Sequence, residues 1–181
     1  MTSTIVPLSD LIDAQTRVVA GWPAPGVMFR DITPLLSDIV AFERVVDALA
    51  AAAADLAGPI DVVAGVEARG FIFGPPVAMR LGVGFVPVRK QGKLPAQVHA
   101  AEYALEYGTA TLEIHIDAIG VGQRVLLVDD VLATGGTLGA VGELVARCGG
   151  VTAGAVLPIE IAALRGRERL APMPLATLRT Y

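Results

Sequence analysis

Short apolar runs, punctuated by glycine and proline, alternate along this chain with longer stretches whose apolar positions recur at helical spacing. Asp61-Val62-Val63-Ala64-Gly65-Val66 is continuous enough for a strand buried on both faces, and Arg124-Val125-Leu126-Leu127-Val128-Asp129 is the clearest such run. Gly84-Phe85-Val86-Pro87-Val88 reads as another, with Pro87 marking an edge or strand end because proline has no N–H for a ladder. The spacing predicts helices from Phe71 to Leu81 and from about Gly136 to Arg147, and a further strand begins near Val151. Upstream, Ser9 is placed to cap a first helix carrying Leu11, Ile12, Val18 and Val19 on one face, with Gly21 ending it. A long helix follows from about Asp38 to Leu56, closed by Gly58-Pro59. Strands alternating with helices imply an α/β fold, a mostly parallel central sheet flanked by helices.

One stretch breaks that rhythm. Lys90 to Gly120 is rich in glycine, tyrosine and charge, and Thr111-Leu112-Glu113-Ile114-His115-Ile116 alternates like a half-buried strand. It reads as a β-hairpin excursion over about 90–120, its first part a mobile loop, and long excursions from compact α/β domains serve as lids.

Composition narrows the classes. The chain has 181 residues, 54% of them hydrophobic and 18% charged, which suits one domain (1–181) with an ample core and excludes disorder. The alanine-rich run Ala48 to Ala54 is far shorter than the ~20 residues that span a bilayer, so no membrane partner is expected. Met1-Thr2-Ser3-Thr4-Ile5 carries neither a basic n-region nor an apolar h-region, and Cys148 is the single cysteine. A reducing, cytoplasmic setting is the expectation. The net charge of −4 with no basic stripe argues against nucleic acid.

The most informative segment is Val125 to Thr137. A buried strand delivers Asp129 and Asp130 to the crevice where open α/β sheets bind ligands, and Gly135-Gly136 then permits a tight turn into a helix. The free N–H groups of that helix start, with the hydroxyls of Thr134 and Thr137, suit a phosphate. The segment is therefore a monophosphate cradle with diol-binding acids beside it. A Walker A loop would need a lysine where Thr137 stands, and Gly120-Val121-Gly122 precedes a strand where a dinucleotide fingerprint should follow one. Glu67-Ala68-Arg69-Gly70 forms a second strand-to-helix turn, again a natural anion site.

Val125 to Thr137 resembles the phosphoribosyl pyrophosphate (PRPP) motif of type I phosphoribosyltransferases. Pro25-Gly26-Val27-Met28-Phe29-Arg30-Asp31-Ile32, Glu67 to Phe71, Arg89 to Pro95, Tyr103 to Gly108 and Gly166 to Pro172 together resemble the adenine phosphoribosyltransferase family, in that family's order. The resemblance implies a type I phosphoribosyltransferase fold with a lid hairpin and a small base-binding hood built from 1–33 and about 158–181. It implies that Asp129 and Asp130 hold the ribose hydroxyls while Ala133, Thr134, Gly135, Gly136 and Thr137 wrap the 5′-phosphate. Glu67, Ala68, Arg69, Arg89, Lys90 and Lys93 are implied at the pyrophosphate, with a cis peptide before Ala68. Met28, Phe29 and Arg30 are implied on one side of adenine, and Val131 and Ile161 on the other.

By the same resemblance the activity is that of a pentosyltransferase, a glycosyltransferase of purine salvage that makes AMP and pyrophosphate from adenine and PRPP. Glu106 is implied as the lid carboxylate that manages the adenine proton, with Tyr107 beside it, and Arg69 as a stabiliser of the leaving group. Mg²⁺ is implied, held mainly by PRPP oxygens and water with no direct protein ligand, and a homodimer is implied by basic residues that reach across an interface. Two alternatives stay open: a phosphoribosyltransferase for xanthine or hypoxanthine, and a PRPP-sensing regulator that has lost catalysis. His99, His115 and Cys148 read as structural, and Trp22 as part of the N-terminal core or a dimer contact.

Overall fold

The longest helix begins where the sequence offers it a cap. Asp38 Oδ1 accepts the backbone N–H groups of Val40 (2.9 Å) and Ala41 (3.1 Å), two of the donors a helix start leaves unsatisfied. The structure, a computed structural model, describes residues 6–104 and 109–181. It divides into two units, Met1–Asp47 and Ala48–Tyr181. The long helix starts in the first and ends in the second.

The first unit holds α1 (Leu8–Ala14), β1 (Arg17–Ala20), β2 (Met28–Asp31), α2 (Thr33–Ser37) and the start of α3 (Ile39–Ala57). The expected first helix is only half present. It ends at Ala14, where Thr16 Oγ1 donates to the Ile12 carbonyl (2.7 Å), and Val18 and Val19 belong to β1 instead. β1 pairs antiparallel with β2 in the register Val19↔Phe29 and Ala20↔Met28. A β-branched pair with a strand partner prefers extended backbone, which overrode the helical spacing. Gly21, with φ +75°, closes the turn between these strands and donates to Val27 O (2.7 Å) rather than stopping a helix. Ser9 lies inside α1 and Pro7 occupies the cap position.

The second unit carries β3 (Val62–Val66), α4 (Gly70–Leu81), β4 (Gly84–Lys90), β5 (Val98–Ala104), β6 (Thr109–His115), β7 (Arg124–Val128) and β8 (Val131–Leu132). There follow α5 (Gly136–Arg147), β9 (Val151–Glu160), a 3₁₀ turn (Ala162–Leu164), α6 (Gly166–Leu170) and β10 (Leu175–Thr180). The sheet order is β10-β9-β7-β3-β4-β6-β5, with β8 paired to β9. β10, β9, β7, β3 and β4 run parallel, and β6 joins β4 and β5 antiparallel. The mostly parallel α/β architecture is the expected one. The hairpin excursion is present too, although its first half contains a full strand, β5, in place of the loop expected there. Pro87 sits where β4 pairs with β3, before β6 joins at Arg89 and Lys90.

Every residue of β3 is buried, as are Val125 to Val128 of β7. The Phe85 ring lies so close over the sheet that a Cβ on Gly65 or Gly74 would stand 2.6 or 2.5 Å from it, which is why those two positions carry no side chain. From β3 the chain crosses to β4 on one side, whereas from β7 it crosses to β9 on the other. β3 and β7 are neighbours, so the strand order reverses between them. Ligands of open α/β sheets bind at such a reversal.

Candidate active site

The register Gly65↔Val128 brings the turn after β3 beside the turn after β7. In the first, the Glu67–Ala68 peptide is cis, the Glu67 N–H donates to Val88 O (2.9 Å), and Phe71 and Ile72 donate to Ala68 O (3.2 Å) and Arg69 O (3.0 Å) to open α4. Gly70 meets the second turn directly: a Cβ there would stand 2.7 Å from Val128 O and 3.2 Å from Asp129 Oδ1. Only glycine lets the two turns touch.

In the second turn Asp129 Oδ1 accepts the Asp130 N–H (2.9 Å). β8 then hooks onto β9 through Ile159 N–H to Asp130 O (3.2 Å) and Ile161 N–H to Leu132 O (2.9 Å). Gly135, at φ +78°, reverses the chain into α5, whose first bond runs from Gly139 N–H to Gly135 O (3.0 Å). The positive φ makes this turn a glycine position.

Arg69 Nε lies 2.9 Å from Asp130 Oδ2, whose side chain is only 5% exposed. The contact is an ion pair without hydrogen-bond alignment, and Asp130 Oδ2 is buried with no hydrogen-bond donor. The guanidinium beside it offsets part of the cost of burying this carboxylate. Burial, reinforced by the like charge of Asp130, pushes the Asp129 pKa well above the ordinary carboxylate range. Burial also raises Asp130, with the Arg69 guanidinium opposing it.

The basic residues form a third group. Glu67 Oε2 accepts from Arg89 Nε (3.2 Å) and from the Lys90 N–H (3.1 Å), and Arg89 Nη1 donates to Lys93 O (3.0 Å). Burial raises the Glu67 pKa, but these donors outweigh it and hold it below its usual value. An ionised Glu67 repels an anion, so its carboxylate serves to orient Arg89 and Lys90. Lys90 and Lys93 are exposed. Sequence reasoning passed over Glu113, a buried carboxylate that accepts the Gly92 N–H (2.9 Å) and shapes the Lys90–Lys93 loop. Its signal was an acid between two buried apolar residues, Leu112 and Ile114.

Comparison with known proteins then decides the family. Residues 36–172 match the phosphoribosyl transferase domain family. The chain is 55% identical over 173 residues to the adenine phosphoribosyltransferase of Thermobifida fusca, covering 96% of this chain and 97% of that one. It is 56% identical over 164 residues to the enzyme of that name from a Nocardioides species, covering 90% and 89%. The crystal structure of adenine phosphoribosyltransferase from Thermoanaerobacter pseudethanolicus superposes with a TM-score of 0.91 at 46% identity, over 95% of this chain and 99% of that chain. The Saccharomyces cerevisiae structure, complexed with an imino-altritol bisphosphate and adenine, gives 0.89 at 37% identity, over 94% and 98%. The chain belongs to the adenine phosphoribosyltransferase family.

Within that family frame, the structure brings together Arg69, Asp129, Asp130 and Ala133 to Thr137 around the switch point, with Glu67, Arg89, Lys90 and Lys93 grouped on β4 and the turn after β3. Met28, Phe29 and Arg30 lie on β2 of the first unit, where the Trp22 ring packs edge-on against Phe29 at 4.4 Å between centroids. Trp22 is 53% exposed, so it is not a core residue. Val131 lies on β8 and Ile161 follows β9 in the second unit. Glu106 and Tyr107 fall outside the described residues. His115 Nε2 lies 2.6 Å from Pro95 O, and Cys148 Sγ donates to His115 O (3.7 Å), which are structural contacts. Among the described residues no helix is long and apolar enough to cross a membrane, and no three or more His, Cys, Asp or Glu cluster to hold a metal ion.

Proposed function

We propose that the protein transfers the phosphoribosyl group of PRPP to N9 of adenine, forming AMP and releasing pyrophosphate. The observation that carries this reading is the pairing of two strand-end turns at one switch point. One turn is flanked by cations, the other opens a helix through glycines, and a carboxylate pair, one member ion-paired to Arg69, stands between them. A molecule anionic at both ends with a neutral diol in the middle matches that order. PRPP is such a molecule.

Residues 133–137 would take the 5′-phosphate on helix-start N–H groups. Asp129 and Asp130 would accept the ribose hydroxyls, and their charge would favour the cationic ribose that forms as the C1′–O bond to pyrophosphate breaks. Arg69, Arg89, Lys90, Lys93 and the Ala68 backbone would take up the charge growing on the leaving oxygens. Adenine N9 bonds to C1′ and sheds its proton, a role proposed for Glu106 with Tyr107 beside it, worth ~10²–10⁴-fold as general base. Adenine contacts are proposed for Phe29 and the backbones of Met28 and Arg30, and for Val131 and Ile161.

Mg²⁺ is proposed as the metal: the adjacent acids Asp129 and Asp130 give the crevice a negative side compatible with a cation held mainly by substrate oxygens and water. Bound there it would supply charge neutralisation for the pyrophosphate. A cytoplasmic homodimer is proposed as the working form. Exposed Ile72 and Met79, one face of α4, support an interface.

The test is AMP formation from PRPP and Mg²⁺, with adenine compared against hypoxanthine, guanine and xanthine. Adenine should be the preferred base by a wide margin. Equal or faster turnover of a 6-oxopurine would replace the adenine reading, and tight PRPP binding with no turnover of any base would favour a regulator.

A further inference from the structure

A second layer of contacts reaches the phosphate loop from behind. Glu160, the last residue of β9, is the register partner of Leu132, the residue that enters the loop. Its side chain is 9% exposed and accepts a forked guanidinium, with Arg167 Nε to Oε1 at 3.1 Å and Nη2 to Oε2 at 2.6 Å. Arg167 Nη1 also donates to Leu175 O (2.9 Å), and Thr177 Oγ1 donates to Glu160 Oε2 (2.9 Å). One guanidinium therefore ties α6 to both β9 and β10. A five-residue helix has no stability of its own, so this tie fixes where α6 sits.

The first residue of α6 is what touches the loop. Gly166 is buried, and a Cβ on it would run into Ala133 O and stand 2.9 Å from Gly135 N. The fit is reciprocal: a Cβ on Gly135 would stand 2.8 Å from Gly166 O. The backbone of α6 thus forms the seat on which Ala133–Gly135 rest. None of Glu160, Gly166 or Arg167 is itself among the residues assigned to the two anion sites described above.

We propose that Glu160 and Arg167 are positioning residues for the 5′-phosphate: by pinning α6 they hold Gly166 against Ala133–Gly135 and so aim the loop's N–H groups. This rests on the placement of the 5′-phosphate at residues 133–137. The pair senses no substrate itself. It acts on affinity for one end of the substrate only, because the pyrophosphate turn lies after β3, beyond β7 from β9.

The experiment measures binding of ribose 5-phosphate and of pyrophosphate by calorimetry, with KM for PRPP and a thermal melt, in Arg167→Met, Arg167→Lys, Gly166→Ala and a Thr134→Val/Thr137→Val double variant. Arg167→Met should weaken ribose 5-phosphate and raise the PRPP KM by about tenfold or more, the scale of a slightly misaimed site. Pyrophosphate affinity should stay at the wild-type value. Arg167→Lys, which keeps the charge but loses the fork, should fall between. Gly166→Ala keeps the ion pair and should reproduce the selective loss, which a merely destabilising change would not. The proposal is overturned if ribose 5-phosphate affinity is unchanged in both Arg167→Lys and Gly166→Ala, or if every ligand weakens in proportion to the lost melting temperature. If the threonine double variant binds ribose 5-phosphate like wild type, the phosphate placement itself is wrong and the proposal falls with it.

Discussion

Replacing Asp129 with asparagine should stabilise the free protein while weakening its hold on PRPP. Asn Oδ1 can go on accepting the Asp130 N–H now bonded at 2.9 Å, so the local geometry is retained and only the charge is lost. That charge is unfavourable without ligand, since burial and the neighbouring Asp130 both push the Asp129 pKa well up. A gain of about 1–2 kcal/mol is the usual yield of relieving such a site, or about 2–8 °C in melting temperature for a chain of this size. The pH dependence follows from linkage. The folded pKa exceeds the unfolded 3.8, so between the two values the native state binds the extra proton and stability falls as pH rises. The gain from asparagine is therefore absent below pH 3.8, where both states are protonated, and full above the raised folded value. PRPP affinity should drop about tenfold to a hundredfold, because a charge-assisted bond to a ribose hydroxyl becomes a neutral one. Ligand-free melts from pH 4 to 8 and calorimetric titration with PRPP check both halves. A lower melting temperature than wild type at pH 7.5, or a gain equally large at pH 4, would refute the reasoning.

Two further outcomes follow from neighbouring groups. Gly135→Ala sets a side chain at φ +78° and 2.8 Å from Gly166 O, so a loss of about 2–4 kcal/mol and a melting temperature lower by about 4–16 °C are expected; an unchanged melt would show that the turn can relax. Glu67→Gln removes the charge that orients Arg89 and Lys90, and should raise the PRPP KM about threefold to tenfold while leaving ribose 5-phosphate affinity alone. Because the folded pKa of Glu67 is depressed, its contribution to stability is present above 4.5 and fades as pH falls through the folded value, so wild type and Glu67→Gln should converge in acid melts.

Much of the sheet was legible because its central strands are buried on both faces. Val62–Val66 and Arg124–Val128 are unbroken apolar runs, and the helices after them start and stop at glycines that the sequence displays. The elements that escaped are those whose state is set by a partner. Val18 and Val19 fit a helical spacing until β2 offers them a ladder, and Val98–Ala104 shows no strong alternation of its own but pairs with β6 along its whole length. β8 is two residues long and exists only as an addition to β9, while the edge strand β10 is fixed by β9 and by the Arg167 tie. Local propensity cannot report a pairing made by residues far along the chain.

The site divides along the same line. Glycines, threonines and paired acids at a strand end carry their chemistry locally, so Asp129 to Thr137 could be read directly. What could not be read is how charges are shared. Arg69 and Asp130 are 61 positions apart in sequence yet 2.9 Å apart in space, because the register Gly65↔Val128 sets the ends of β3 and β7 level. The neighbouring β3–β4 register, Val66↔Val88, explains why Glu67, an acid within a cationic group, is tolerable: its charge goes to Arg89 and the Lys90 N–H, leaving Arg69 to face the carboxylates. Charge thus alternates across the switch point, cations on the β3 side and acids at the end of β7. A ligand with an anionic group on each side of a diol matches that alternation, with its diol at the carboxylates.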